Sequence, residues 1–120
     1  MTELKGKVAL VTGAAKGIGK AAAVKLAEEG VHVAINYNSS KQEAEETVKD
    51  LKEFGIDSIS CQADVGNLAQ VTKMINEVSE RFGQIDILVN NAGIIDDGLL
   101  LRMSDEAWER VINTNLNGTF

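Results

Sequence analysis

Apolar residues along this chain fall into short unbroken runs, separated by stretches with helical spacing. Val8 to Thr12 is the first run, and its continuous apolar character predicts a strand buried on both faces. A glycine-rich turn follows, then a helix over about Ile18 to Glu29, with Gly30 as its stop. Val31 to Asn36 predicts a second strand. Ser40 and Glu43 have the spacing of a capping box for a helix reaching about Phe54, closed by Gly55. Ile56 to Gln62 predicts a third, weaker strand. Asn67 with Gln70 opens a helix to Phe82, which Gly83 closes, and Ile85 to Asn90 predicts a fourth strand. After a loop, Ser104 opens a last helix still running near Phe120. Strands alternating regularly with helices predict an α/β fold, a parallel sheet with right-handed crossovers and helices on both faces.

The turn after the first strand carries the most chemistry. It reads Gly13-Ala-Ala-Lys-Gly17-Ile-Gly19, a G-x-x-x-G-x-G spacing between a strand and a helix. One glycine suits the tight turn, one lets the backbone approach a pyrophosphate, and one lets the helix pack on the strand. A helix amino terminus offers free N–H groups and partial positive charge to phosphates. The spacing alone is weak evidence, since a plain glycine-rich connection looks the same. Its place after the first strand of an alternating chain makes it a dinucleotide site.

Thr12-Gly-Ala-Ala-Lys-Gly-Ile-Gly19 resembles the T-G-x-x-x-G-I-G motif of the short-chain dehydrogenase/reductase family. Asn90-Asn-Ala-Gly93 resembles its N-N-A-G motif, Asp64-Val65 its adenine-contacting pair, and Asn115-Leu-Asn-Gly118 its N-L-x-G motif. The resemblance implies a Rossmann-like doubly wound sheet with strand order 3-2-1-4 and a nicotinamide cofactor. It implies cofactor contacts from Gly13, Ala15, Lys16, Gly17, Ile18, Gly19, Asp64, Val65, Asn91, Ala92 and Gly93. It also gives Asn115 a catalytic part: kinking the fourth helix and holding a water in a proton relay.

The choice of nicotinamide rests on charge. An acid about 20 residues after the glycines would bind the 2′-OH of NAD. The second strand instead ends Ile35-Asn36-Tyr37-Asn38-Ser39-Ser40, with no carboxylate to repel a 2′-phosphate. Lys16 offers a cation, as NADP-preferring relatives do at that place, and Asn38 and Ser39 offer neutral hydrogen bonds. These residues predict NADP(H).

Carbonyl reduction in the family needs a Ser and a Tyr-x-x-x-Lys. The tyrosine protonates the oxyanion left by hydride transfer, and the lysine lowers its pKa. Tyr37 is the chain's one tyrosine, and Lys41 follows it by four. This pair satisfies the spacing, but it lies where the adenosine ribose would sit, so it reads as a turn leading into a helix. The expectation is a single dinucleotide-binding domain over residues 1–120, cut within its fourth helix. It would be the cofactor half of a chain about twice as long, inactive alone, with an open fourth-strand edge that promotes self-association or poor stability.

For the substrate, Leu99, Leu100, Arg102 and Met103 resemble the loop of 3-oxoacyl-[acyl-carrier-protein] reductases, whereas Ile95 and Asp96 depart from it. An added acid would weaken docking of an acidic carrier protein. Acetoacetyl-CoA and other alcohol substrates therefore stay open, as does a non-catalytic dinucleotide-binding module. Leu99 to Leu101 read equally well as core.

Composition narrows the setting. The chain has 120 residues, 44% hydrophobic and 25% charged, as in soluble globular domains. A net charge of -6 disfavours nucleic acid as a partner. No apolar run reaches membrane-spanning length. Cys61 is the only cysteine, which excludes an internal disulfide and fits the cytoplasm. Family members are usually oligomers, so a homo-oligomer is expected. His32 has no metal-spaced partner, and Cys61 and Trp108 read as packing residues.

Overall fold

The computed structural model describes residues 4–91 and the backbone of 112–115. Strand β1 (Val8–Thr12) leads to helix α1 (Gly17–Glu28), β2 (His32–Tyr37), α2 (Lys41–Lys52), β3 (Ser58–Gln62), α3 (Leu68–Phe82) and β4 (Ile87–Asn90), with β5 (Ile112–Asn115) beyond. All described pairings are parallel, and the sheet order is β3-β2-β1-β4-β5. The predicted 3-2-1-4 order is therefore present. The chain winds outward from β1 to β3 and returns past β1 to β4.

Central β1 is buried at all five positions, because each face meets a different layer. Val8 and Leu10 join Ala34, Cys61 and Leu88 against Val71, Met74, Ile75 and Val78 of α3. Ala9 and Val11 join Val33, Ile35 and Val89 against Ala23 and Ala27 of α1 and Ala44 and Leu51 of α2. The i, i+3, i+4, i+7 spacing in α3 makes one apolar stripe. On α1 the buried positions Gly19, Ala23 and Ala27 recur every four residues and are all small. This brings α1 close to the sheet.

Helix ends follow the sequence with one exception. Asn67 caps α3 by accepting from the Gln70 N–H, and left-handed Gly83 ends it at φ 81°. Gly30 and Gly55 also take positive φ beyond α1 and α2. The Ser40–Glu43 capping box does not form. Ser40 makes no side-chain cap bond, and the Glu43 carboxylate lies instead 3.9 Å from Lys16 Nζ.

The expected last helix is also corrected. Ile112–Asn115 forms a strand, aligned Ile87↔Ile112 through Asn90↔Asn115. The helical expectation rested on Ser104 as a helix start and on the resemblance of Asn115-Leu-Asn-Gly118 to a helix motif. Beside β4, these residues can pair with backbone groups that would otherwise form an open edge, and Ile and Thr suit a strand. The β4 edge is thus covered, and the self-association inferred from it loses its basis. Ser104 and Trp108 lie outside the described residues.

Two single residues proved structural. Cys61 is buried, and that burial, with the charge of Glu77 second, pushes its thiol up to about 11. His32 accepts from the Asp57 N–H through Nδ1 (3.0 Å) and stacks on Phe82. Asp57 in turn accepts from Arg81 Nη2 (2.7 Å) and the Ser58 N–H (2.9 Å). The Arg81 hydrogen bond is the main cause holding the Asp57 carboxyl below its usual range. A lowered folded-state pKa adds stability above the unfolded value of ~3.9, lost as pH falls through the folded value. Both partners are more than a third exposed, so Asp57→Asn is expected to cost under about 1 kcal/mol at neutral pH. Urea melts at pH 7 and pH 3 should show that cost shrinking in acid.

Candidate dinucleotide site

The site forms at the carboxyl ends of β1 and β4, where the winding direction reverses. Open α/β sheets place ligands at such points. Thr12 is fully buried there. Its hydroxyl donates toward Asn90 Oδ1 (3.2 Å) and accepts from the Asn91 N–H (3.0 Å), tying β1 to β4. Asn91 Nδ2 donates to the Gly13 carbonyl at 3.2 Å.

The turn out of β1 needs glycine twice for its backbone. Gly13 has φ 61° and Gly17 φ 67°, in the left-handed region that side chains disfavour. Gly19 is required for space. A Cβ there would overlap the Gly13 carbonyl oxygen and lie 2.8 Å from Asn91 Nδ2 and 2.9 Å from the Ala14 Cα. Gly17 faces the other way, since a Cβ built on it meets nothing within 4 Å. The turn is thus closed toward the sheet and open at Gly17.

α1 begins at that opening. Lys16, its N-cap, is extended and makes no side-chain cap bond, and the first turn holds no acid. The Gly17, Ile18 and Gly19 amides precede the helical hydrogen-bond ladder, whose first reach is Lys20 N–H to the Lys16 carbonyl at 3.5 Å. Lys16, Gly17 and Ile18 are exposed, whereas Ala14 and Ala15 are buried. A pyrophosphate fits this end: partial positive charge, little side-chain bulk and no competing carboxylate in the first turn.

Sequence reasoning missed Asn36. It is 2% exposed, near the end of apolar β2. Its side-chain oxygen accepts from the Gly13 N–H (3.2 Å), and its carbonyl accepts from the Ala14 N–H (3.1 Å). Its amide nitrogen donates to the Ala63 carbonyl at 3.0 Å. Asn36 therefore occupies two amides in the stretch expected to cradle phosphate, leaving that task to the residues from Ala15 onward. The signal was available: one amide side chain in a buried run, which requires partners.

The remaining predicted residues lie around this edge. Asn38 and Ser39 are exposed after β2. Asn38 accepts from Gln62 Nε2 through both its carbonyl (3.0 Å) and its side chain (3.3 Å). Asp64 and Val65 follow β3. Val65 is buried, and Asp64 Oδ1 accepts from the Gly66 N–H at 2.9 Å. Lys16 is exposed and lies 3.9 Å from the Glu43 carboxylate. Tyr37, at the end of β2, packs against the α1–α2 side of the core. Asn115 lies on β5, and its backbone pairs with Asn90 at this edge. Ala92, Gly93, Ile95, Asp96, Leu99, Leu100, Leu101, Arg102 and Met103 lie outside the described residues.

A doubly wound parallel sheet with an uncapped, glycine-entered helix at its switch point defines a dinucleotide-binding α/β protein. The family profile described as short chain dehydrogenase matches residues 7–120, and the chain belongs to that family. It is 53% identical over 114 residues to a 3-oxoacyl-[acyl-carrier-protein] reductase FabG of Staphylococcus aureus (strain Mu50), covering 95% of this chain and 46% of that protein. A short chain dehydrogenase from Burkholderia cenocepacia J2315, solved in complex with NADP, superposes with a TM-score of 0.73 at 42% identity, over 87% of this chain and 42% of that one. An NAD+-bound xylitol dehydrogenase gives 0.72 at 38% identity, over 76% and 35%. The chain spans about half the length of the curated relatives it matches. Among the described residues, no helix is long and apolar enough to cross a membrane.

The close approach at Gly19 makes a direct test. Gly19→Ala is expected to push α1 off the turn, cutting dinucleotide affinity at least ~10-fold and destabilising the fold by about 1–3 kcal/mol. Titration calorimetry and a thermal melt of the same sample read both.

Proposed function

We propose that this chain is the NADP(H)-binding half of a carbonyl reductase acting on a 3-oxoacyl thioester. The observation that carries the reading is the uncapped start of α1, opening beside Lys16 with no acid at the end of β2. The bound nicotinamide would supply hydride to the carbonyl carbon. The chain's own part is to hold and orient that cofactor. The amides from Ala15 to Gly19, with Gly13 setting the turn, take the diphosphate. Lys16, Asn38 and Ser39 take the 2′-phosphate. Asp64 and Val65 border the adenine, and the resemblance assigns cofactor contacts to Asn91, Ala92 and Gly93 as well. The catalytic part that the resemblance gives Asn115 presupposes a kinked fourth helix, whereas the backbone of Asn115 lies on β5.

Lys16 has a counter-charge in Glu43. A 2′-phosphate would compete for that lysine with the carboxylate, and being exposed, the pair yields readily. Support for the substrate comes from the relatedness to 3-oxoacyl-[acyl-carrier-protein] reductases and from Leu99, Leu100, Arg102 and Met103. The Ile95 and Asp96 departures favour a CoA thioester as the second reading.

Two measurements test this. Calorimetry should show NADPH binding more tightly than NADH, and Lys16→Glu should lower NADPH affinity about tenfold or more while sparing NADH. Equal affinities in the unaltered chain would reverse the NADP(H) assignment. Separately, NADPH oxidation with acetoacetyl-CoA is expected to stay at background for these 120 residues, since no tyrosine besides Tyr37 is present. Turnover would restore Tyr37 as a candidate acid.

A further inference from the structure

One face of α2 leans on the glycine turn. Glu43, Thr47 and Asp50 recur at i, i+4 and i+7, and each meets the turn or the helix it opens. Glu43 faces Lys16 at 3.9 Å, and Asp50 accepts from Lys20 Nζ at 2.9 Å. Thr47 lies between them, fully buried, and its hydroxyl donates to the Ala15 carbonyl at 2.9 Å. The two ion pairs are exposed and weak. The threonine bond is buried, where losing a partner is costly.

The Ala15 carbonyl belongs to the same peptide unit as the Lys16 N–H. There is no cis bond among the described residues, so the two point in opposite directions. Anchoring the carbonyl on α2 turns the Lys16 N–H away from α2. Lys16 is also the last residue before the first turn of α1, whose amides form the proposed phosphate cradle. We propose that Thr47 is a positioning residue for the dinucleotide: its hydroxyl fixes the Ala15–Lys16 peptide so that the Lys16 amide joins the Gly17–Gly19 amides facing the diphosphate. This inference rests on the dinucleotide reading above. It adds a contribution from a helix that does not itself touch the diphosphate.

The diphosphate is common to both nicotinamide cofactors, so the effect must not discriminate between them. Thr47→Val keeps the shape and removes the hydroxyl. It is expected to weaken NADPH, NADH and ADP-ribose alike, by about tenfold. Thr47→Ser restores the donor and should bind within about twofold of the unaltered chain. A purely structural threonine would lower the melting temperature of Thr47→Val and leave the affinity of the folded fraction unchanged, and that result would overturn the proposal. If Thr47→Val fails to fold, the Lys16 amide resonance of the unaltered chain decides. It should shift with ADP-ribose together with Gly17 to Gly19, and a stationary Lys16 signal would overturn the proposal. Absence of binding by the unaltered chain would instead remove the dinucleotide reading itself, and this inference with it.

Discussion

A helix can offer its amino end to a phosphate only if the chain reaches that end without filling it. In this protein the constraint is met where α1 crosses the end of β1. Gly19 lies against the Gly13 carbonyl with no room for a Cβ, and the small Ala23 and Ala27 continue the same close packing. The rest of the site depends on that approach. It places the first-turn amides at the sheet's carboxyl edge, beside the Thr12–Asn90–Asn91 bridge from the neighbouring strand.

The bridge and the turn are held mostly by bonds between side chains and backbone. Asn36 accepts the Gly13 amide and reaches across to the chain after β3. Asn91 holds the Gly13 carbonyl, and Thr47 the Ala15 carbonyl. The turn is thus gripped from β2, β4 and α2 in succession. Such bonds hold a peptide's orientation, which apolar packing alone would leave loosely specified.

Much of this was legible in the sequence. Apolar runs located β1, β2 and β4, a weaker pattern located β3, and helical spacing located α1 to α3, because each element's pattern matched the layers that bury it. The glycine turn was legible because strand, turn and helix came in order. Two features were misjudged. Ser40 and Glu43 have capping-box spacing, yet Glu43 finds Lys16 across the turn. Ile112–Asn115 falls in a stretch whose sequence predicts a helix, yet pairs with β4. The Lys16–Glu43 pair is exposed and weak, so it does not account for the missing cap. For β5 a partner distant in sequence outweighed a local preference. The same holds for Asn36 and Thr47, whose partners are 23 and 32 residues away.

The groups at the mouth of the turn are peptide amides, which every residue possesses, while the side chains that aim them point inward. The side chain of Lys16 hangs outside this framework, in solvent. On the proposed reading, cradle and discriminator would therefore be separable: exchanging the charge at that one position would redirect nucleotide choice and leave the scaffold proposed to hold the shared diphosphate undisturbed.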